Sequence, residues 1–279
     1  MYKIGFVILH YLTYVDTLKC IESINRVTQN TKYNCEIVVV DNFSNNGSIE
    51  EIEKKIKHIK NIHIIKNNEN LGFAKGNNVG YNYCRNVLKC NIIFISNNDI
   101  EIKSNNIIDQ SIDDFEKHHY AVLGPDIISG VDGHHQNPGA YSFSNRQRVI
   151  KEIIRYSILL FLSQINLYDK IKVKRIKHSS SNIRNSEKQL HGAFLIFSPL
   201  YIKEFTEAFD SRTFLYLEEE LLFLRCKSKN LKMMYDPSIV VLHNEDRATQ
   251  ALKNSAKKRR EFIFKNMISS LTILFITMR

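Results

Sequence analysis

The chain has 279 residues, of which 43% are hydrophobic and 24% charged, so it can bury a full core in one large domain or two small ones. This composition excludes a disordered chain. Its five cysteines are odd in number and contain no CxxC pair, which argues against a disulfide framework or a zinc site and favours a reducing cytosol.

The net charge of +10 is concentrated in two clusters, at residues 170–177 and 253–260. Solvated surfaces are the simplest interpretation. An anionic membrane surface comes next, because apolar stretches at 149–168 and 262–278 adjoin the clusters. Nucleic acid comes third, since no binding motif accompanies the charge. The longest apolar runs fall well short of the ~20 residues that span a bilayer.

The first hundred residues alternate strands with helices. Residues 3–9 predict a first strand rather than a signal peptide. Apolar periodicity then predicts, in order, a helix at 16–27, a strand at 36–40, a helix at 48–59, a strand at 62–65, a helix at 73–88 and a strand at 91–96. This last strand is apolar almost throughout, as in parallel sheets that are buried on both faces. The order predicts a parallel sheet with right-handed crossovers.

The second half of the chain is less regular. The patterns predict a strand at 121–128, a loop at 132–144, an apolar helix at 149–168, a mobile loop at 179–186, a strand at 193–197, a helix at 216–228 and a strand at 239–242. Catalytic residues in such chains are expected at the carboxyl ends of the strands.

Polar side chains follow two of the predicted strands. Asp41 and Asn42 end the second, and Asn97, Asn98 and Asp99 end the fourth. A single carboxylate at such a position often caps a helix. Two carboxylates, which we expect on adjacent strands at one sheet edge, suit a polar ligand or a hard cation bound through oxygen.

Three further groups have residues suited to chemistry. Gly72, in the loop 69–80, can take a positive φ just before a helix begins. The free N–H groups of that helix start suit an anion, although the loop can also be an ordinary tight connection between strand and helix. Glu218, Glu219 and Glu220 open a helix; they favour its dipole, and one can also deprotonate a hydroxyl. His243 ends a strand and suits a cation held by Asp99.

Taken in order, these segments resemble glycosyltransferase family 2. They are Val-Val-Val-Asp-Asn at 38–42, Asn-Leu-Gly-Phe-Ala-Lys-Gly-Asn-Asn-Val-Gly at 70–80, Asn-Asn-Asp at 97–99, His-Gly-Ala at 191–193, Phe-Leu-Tyr-Leu-Glu-Glu-Glu at 214–220, and His243. The resemblance runs from residue 3 to about 245 and is greatest for the rhamnosyltransferase-like branch that builds bacterial surface polysaccharides.

The resemblance implies a GT-A fold: an α/β domain with a Rossmann-like, mostly parallel sheet flanked by helices and a C-terminal acceptor-side region. Residues 1–125 are the expected nucleotide-sugar half and 126–250 the acceptor and catalytic half, with a variable insertion at about 145–188. Residues 251–279 are an expected basic, apolar helix that associates with a membrane. The family implies inversion at the anomeric carbon, a nucleotide-diphosphate sugar donor and Mg²⁺ or Mn²⁺.

The resemblance also assigns roles to single residues. Glu219 is the expected catalytic base with Glu218 as its partner, Asp99 and His243 are the expected metal ligands, and His191 and Gly192 are expected near the donor sugar and acceptor. The expected donor-binding residues are His10, Asp41, Asn70, Gly72, Lys75, Asn97, Asn98 and Asp99.

The chain departs from the family pattern at three positions. Asn97 replaces the first acid of the metal-binding element, Leu12 replaces a usual asparagine, and Glu219 replaces aspartate, which adds one methylene of reach.

The expected function is therefore synthesis of a capsule, O-antigen or similar glycan on a lipid-linked oligosaccharide. The enzyme is expected in the cytoplasm, peripheral on the inner face of the cell membrane, with no nucleic-acid partner. Alternatively, the apolar stretches pack onto the core or form a homodimer contact. Two other functions stay open: a non-catalytic homologue that binds sugar nucleotides, and a basic nucleic-acid-binding protein.

Overall fold

The computed structural model describes residues 2–140, 143, 145–170, 188–244 and 256–278. The strands in these ranges are β1 Lys3–His10, β2 Asn34–Asp41, β3 Ile62–Lys66, β4 Ile92–Asn97, β5 Ile100–Ile102, β6 Val122–Ser129, β7 Gly139–Ala140, β8 Lys188–Gln189, β9 Phe194–Phe197 and β10 Met233–His243. Among the described residues, eight strands form one sheet in the order β3-β2-β1-β4-β9-β6-β10-β5, and β7 pairs with β8.

Most of the large sheet is parallel. β3, β2, β1 and β4 run side by side in one direction. β9 is antiparallel to both β4 and β6, so β6 regains the direction of β4, and β10 runs parallel to β6. Only β9 and β5 among these eight described strands run the other way. The carboxyl ends of the other six therefore lie at one edge of the sheet.

Helices cover both faces of this sheet. They are α1 Tyr14–Thr28, α2 Ser48–Ile56, α3 Gly72–Asn82, α4 Ile107–His118, α5 Arg146–Gln164, α6 Pro199–Glu204, α7 Glu218–Ser228 and α8 Ala256–Thr277, with a π-helical turn at Tyr83–Val87 and a 3-10 turn at Tyr168–Lys170. Among the described helices, none combines the length and apolarity needed to cross a bilayer.

The core has two layers because successive strand residues point to opposite faces. On one face Phe6 of β1 joins a buried cluster with Ile24 of α1. On the other face Val7 joins a cluster with Tyr81 of α3. Helix α3 lies very close to the sheet, since a Cβ on Gly80 would come within 2.3 Å of a Val7 methyl carbon. The strands read as apolar throughout because both faces are covered.

A third cluster joins α5 and α8 to the start of α7. Val149 of α5, Leu271 and Leu274 of α8, and Leu217 and Leu221 around the start of α7 are buried together. The two long helices also pack along each other. The alternative that the apolar stretches pack onto the protein is thus confirmed for one face of each helix.

The predicted fold class is confirmed: a mostly parallel α/β sheet flanked by helices. Several predicted boundaries are wrong: the helix predicted at 48–59 ends at Ile56, and the helix predicted at 149–168 spans Arg146–Gln164. The helix predicted at 73–88 ends at Asn82 and continues as the π-helical turn. The helix predicted from 216 begins at Glu218 because Tyr216 and Leu217 have positive φ. The strand predicted at 239–242 begins at Met233, with an irregularity after Asp236.

Further differences concern regions without a clear pattern. α4 and the short strand β5 were not predicted, and the predicted loop at 132–144 contains β7. The strands that end at Asp41 and Asp99 were expected to be adjacent, but this is wrong: β1 lies between β2 and β4. The predicted mobile loop at 179–186 and most of the first basic cluster lie outside the described residues.

Candidate active site

The candidate residues meet at the carboxyl edge of the sheet. β1 ends at His10, β2 at Asp41, β4 at Asn97 and β10 at His243. Antiparallel β9 brings its amino end to the same edge, where the Asn97 N–H donates to the Ala193 carbonyl at 2.8 Å. This pairing places the His-Gly-Ala segment beside the end of β4. A purely parallel sheet would not have brought it there.

Asp99 and His243 face each other at this edge. His243 Nε2 lies 3.3 Å from Asp99 Oδ1, and both side chains are about nine-tenths buried. His243 Nδ1 donates to Gln136 Oε1 at 2.9 Å, because an amide oxygen only accepts. That bond leaves the Nε2 lone pair directed towards the carboxylate in the neutral ring.

Asp99 Oδ1 is buried and has no hydrogen-bond partner among the described residues. A lone pair of nitrogen and a carboxylate oxygen at this separation repel each other unless a positive charge lies between them. A proton on His243 or a divalent cation supplies that charge, and both ligand types bind such cations. The pair therefore fits a cation. Gln136 already orients the His243 ring through its other nitrogen.

Asn97 and Asn98 have different surroundings from Asp99. Asn98 is buried, and its Nδ2 donates to Thr13 Oγ1 at 2.8 Å and Thr17 Oγ1 at 3.0 Å. Asn98 thus links the end of β4 to the loop after β1 and to the first turn of α1. Asn97 is partly exposed at the edge, where its side chain remains accessible to a ligand.

Asp41 lies two strands away from Asp99, across β1. Its two carboxylate oxygens accept from the Ser44 N–H at 3.1 and 3.3 Å. Burial raises the pKa of Asp41, while the bonds from Ser44 oppose that rise. The carboxylate is held in a fixed orientation at the edge.

His10 does not present a free nitrogen at this edge. Nδ1 lies 2.7 Å from Thr17 Oγ1 and Nε2 lies 2.9 Å from Ser48 Oγ, with no exposed surface. Burial lowers the pKa of His10 to about 4, so the ring is neutral at pH 7. In this conformation its role is to join β1 to α1 and α2.

The loop before α3 is held by Asn42, which the sequence analysis did not select as a site residue. Its Oδ1 accepts from the Leu71 N–H at 3.0 Å, and its Nδ2 donates to Asn70 Oδ1 at 3.0 Å. Asn70 Oδ1 also accepts from the Gly72 N–H. Asn70 and Gly72, both predicted to bind the donor, thus shape the loop. Lys75 is exposed in the first turn of α3.

Gly72 is required by both conformation and space. Its φ is +77°, and a Cβ there would lie 2.3 Å from the Phe214 carbonyl oxygen. The next residue, Phe73, donates its N–H to the same carbonyl at 2.7 Å. This contact joins the loop before α3 to the segment before α7, the element that bears the glutamates.

The three glutamates have distinct environments. Tyr216 and Leu217 both have positive φ, and this unusual pair turns the chain sharply into α7. Glu218 and Glu220 are buried, and burial together with the adjacent Glu219 raises the pKa of each to about 8.

Glu219 alone of the three is partly exposed. Its Oε1 accepts from the Gly192 N–H at 3.1 Å, so the backbone fixes the direction of the carboxylate.

The turn at His191 and Gly192 joins the two sides of the site. The His191 ring lies 5.9 Å from the His243 ring, while the next residue, Gly192, contacts Glu219. Asn137 holds this turn by accepting from the His191 N–H at 3.0 Å. Gln136 thus orients the His243 ring and Asn137 holds the backbone at His191. Sequence reasoning missed both because they lie in a stretch that reads as a polar loop.

The fold is of the GT-A type. Residues 6–180 match the family described as Glycosyl transferase family 2, and the chain belongs to that family. A comparison with curated proteins finds no match.

Solved structures of S. aureus TarS 1–349 share the fold. The complex with UDP has a TM-score of 0.55 at 12% identity, covering 95% of this chain and 70% of that one. The complex with UDP-GlcNAc has a TM-score of 0.52 at 13% identity, covering 92% and 60%.

Proposed function

We propose that the protein is an inverting glycosyltransferase that moves a sugar from a nucleotide-diphosphate sugar to a hydroxyl of a lipid-linked glycan. Family membership and the GT-A fold support a transferase that uses a nucleotide sugar. TarS structures are complexes with UDP and with UDP-GlcNAc, which makes these the first nucleotide and the first donor to test. The enzyme is rhamnosyltransferase-like. Its product contributes to a capsule, an O-antigen or a related surface polysaccharide.

One observation carries this proposal: the turn at His191 and Gly192 links the Glu219 carboxylate to the facing side chains of Asp99 and His243 at one edge. An inverting transfer needs a base on the acceptor side and positive charge at the leaving diphosphate. Glu219 lies on one side of the turn, and His243 with Asp99 lies on the other.

Glu219 is the base in this proposal. Glu218 and Glu220, with pKa values raised to about 8, are mainly protonated at neutral pH and cannot accept a proton. Glu219 is accessible and held by the Gly192 N–H, so its free oxygen is available to the acceptor hydroxyl. Taking that proton makes the hydroxyl oxygen a better nucleophile towards the anomeric carbon.

Asp99 and His243 would hold Mg²⁺ or Mn²⁺. The described residues contain no cluster of three or more His, Cys, Asp or Glu side chains suited to a metal, so phosphate oxygens and water would complete the coordination. Such a cation neutralises charge on the leaving diphosphate. Gln136 keeps the His243 ring in the tautomer that presents Nε2.

The donor lies along the ends of β1, β2 and β4 in this proposal. Asp41 binds the ribose or base of the nucleotide, with its carboxylate already oriented by Ser44. Lys75 is exposed beside the loop shaped by Asn70 and Gly72, where its charge favours phosphate.

The enzyme acts in the cytoplasm at the inner face of the cell membrane, because a lipid-linked acceptor is presented there. The basic residues of α8 and the long apolar helix α5 support a peripheral location.

Donor binding and turnover test the proposal together. Thermal protection by UDP and UDP-sugars is measured with and without Mn²⁺, followed by donor hydrolysis or transfer. Glu219→Gln should lower turnover ~100-fold or more while donor affinity survives, and Glu218→Gln serves as the matched control. An inactive Glu218→Gln beside an active Glu219→Gln would move the base by one residue.

A second candidate is a non-catalytic homologue that binds sugar nucleotides. It is favoured by Asn97, which supplies an amide where the family pattern has an acid. Metal-dependent protection by a UDP-sugar, without hydrolysis or transfer of any donor, would support this candidate instead.

A further inference from the structure

Helix α5 carries an exposed apolar stripe that no described residue covers. The stripe consists of four large side chains spaced by four, four and three residues, Ile150, Ile154, Ile158 and Phe161, and Ile165 at the C-cap continues it. Their exposed fractions run from 42% to 59%. At 100° per residue these positions fall within a narrow arc of the helix. We call this surface the α5 stripe.

The α5 stripe is not needed to pack the helix. A different face of α5 already lies against the protein through the buried side chains of Val149, Leu159 and Ser163. An amphipathic helix in a soluble domain usually turns one apolar face inward and a polar face outward. A second, contiguous apolar face rimmed by charge is typical of a surface that meets another phase or partner.

The charge around the stripe selects the partner. Helix α5 itself contains four Lys and Arg residues and one Glu residue, a net charge of +3. Arg146, Arg148 and Lys151 of α5 are exposed. A second copy would bring the same positive charge against the first, whereas an anionic lipid surface attracts it.

The position of the stripe relative to the site is also specific. The opposite face of α5 and one face of α8 share a buried cluster with Leu217 and Leu221. Leu217 directly precedes the three glutamates of α7. A surface that seats α5 and α8 is therefore rigidly tied to the base side of the site.

We propose that the α5 stripe inserts at the headgroup level of an anionic bilayer, with the basic residues of α5 contacting the lipid phosphates. This inference rests on the proposed function for its purpose, since a lipid-linked acceptor lies at that surface. Its physical content is independent of catalysis: apolar insertion and charge attraction act together.

A single tryptophan tests the insertion directly, because the sequence has none. Ile158→Trp should shift its emission to the blue on adding vesicles of phosphatidylcholine with phosphatidylglycerol. Val87→Trp is the control, since Val87 is 60% exposed in the π-helical turn before β4. It should show no shift. Equal shifts at both positions, or none at either, would overturn the proposal.

Removing the stripe tests its contribution. Replacing Ile154, Ile158 and Phe161 together with Gln should lower vesicle affinity about tenfold or more, with an unchanged melting temperature because all three are exposed. The control replaces Val87 and Val131, which are also exposed, with Gln. This variant should bind vesicles like the parent chain.

Two results would overturn the inference: vesicle binding unchanged in the triple variant, or a dimer of the parent chain that the triple variant converts to a monomer. The second would assign the stripe to a contact between copies.

Protection by UDP-sugar in the absence of vesicles separates the two proposals. Protection without vesicle binding would reject the membrane surface alone. Vesicle binding without protection by any nucleotide sugar would reject the proposed function alone.

Discussion

Adding one methyl group at Gly192 should disable the base without touching it chemically. A Cβ at this position would lie 2.6 Å from Glu219 Oε1 and 3.0 Å from Glu219 Cδ, whereas ordinary contact begins at 3.4 Å. The carboxylate must therefore move by about 0.8 Å. Gly192 does not have a positive φ, so alanine adds no backbone strain.

The size of the effect follows from that displacement. A misplacement of about 1 Å at a reacting group can lower a rate ~100-fold. We expect Gly192→Ala to lower kcat by ~10- to 100-fold with little change in donor affinity, because the base acts in the transition state and does not hold the donor. Initial rates of transfer at saturating donor, with donor affinity measured calorimetrically, check this.

Two further variants sharpen the test. Gly139→Ala is the matched control, because a Cβ there would meet only the Gln189 carbonyl oxygen, at 3.6 Å. In the double variant Gly192→Ala, Glu219→Asp, the shorter side chain makes room for the methyl group, so activity should partly return. A fully active Gly192→Ala, or a double variant below both single ones, would refute the orientation argued for Glu219.

Four other outcomes are expected. Asp99→Ala should lose Mn²⁺-dependent donor binding while keeping its melting temperature; unchanged Mn²⁺ dependence would contradict its role as ligand. Gln136→Leu should weaken Mn²⁺ binding ~10-fold by releasing the His243 tautomer, measured by titration of the metal alone. The pKa of Glu220 is about 8 in the folded state against the usual 4.5. Between these pH values the folded protein keeps a proton that the unfolded chain has lost, so the free energy of unfolding falls as pH rises through this window. The drop in melting temperature from pH 6 to pH 8 should therefore be smaller in Glu220→Gln, and an equal drop would show that this group does not cause it. Gly72→Ala should destabilise by ~2 kcal/mol or more, from a positive φ and a collision with backbone, and unfolding by urea measures this.

Local patterns determined much of the fold. Buried apolar runs such as 91–96 predicted strands covered on both faces, and the alternation with helices predicted a parallel sheet. The polar residues that end β2, β4 and β10 were also found by pattern, because a parallel sheet gathers the carboxyl ends of its strands at one edge. These signals are local, so they can be read from the sequence.

Tertiary structure decided which of these residues are neighbours and which are buried. The antiparallel insertion of β9 between β4 and β6 brings Gly192 to Glu219, and no periodicity specifies that neighbour. Burial makes His10 a neutral bridge, and burial again separates Glu219 from the glutamates beside it, although the sequence gives all three the same chemistry. Solvation and partners come from distant segments, and they set which carboxylate is charged and accessible.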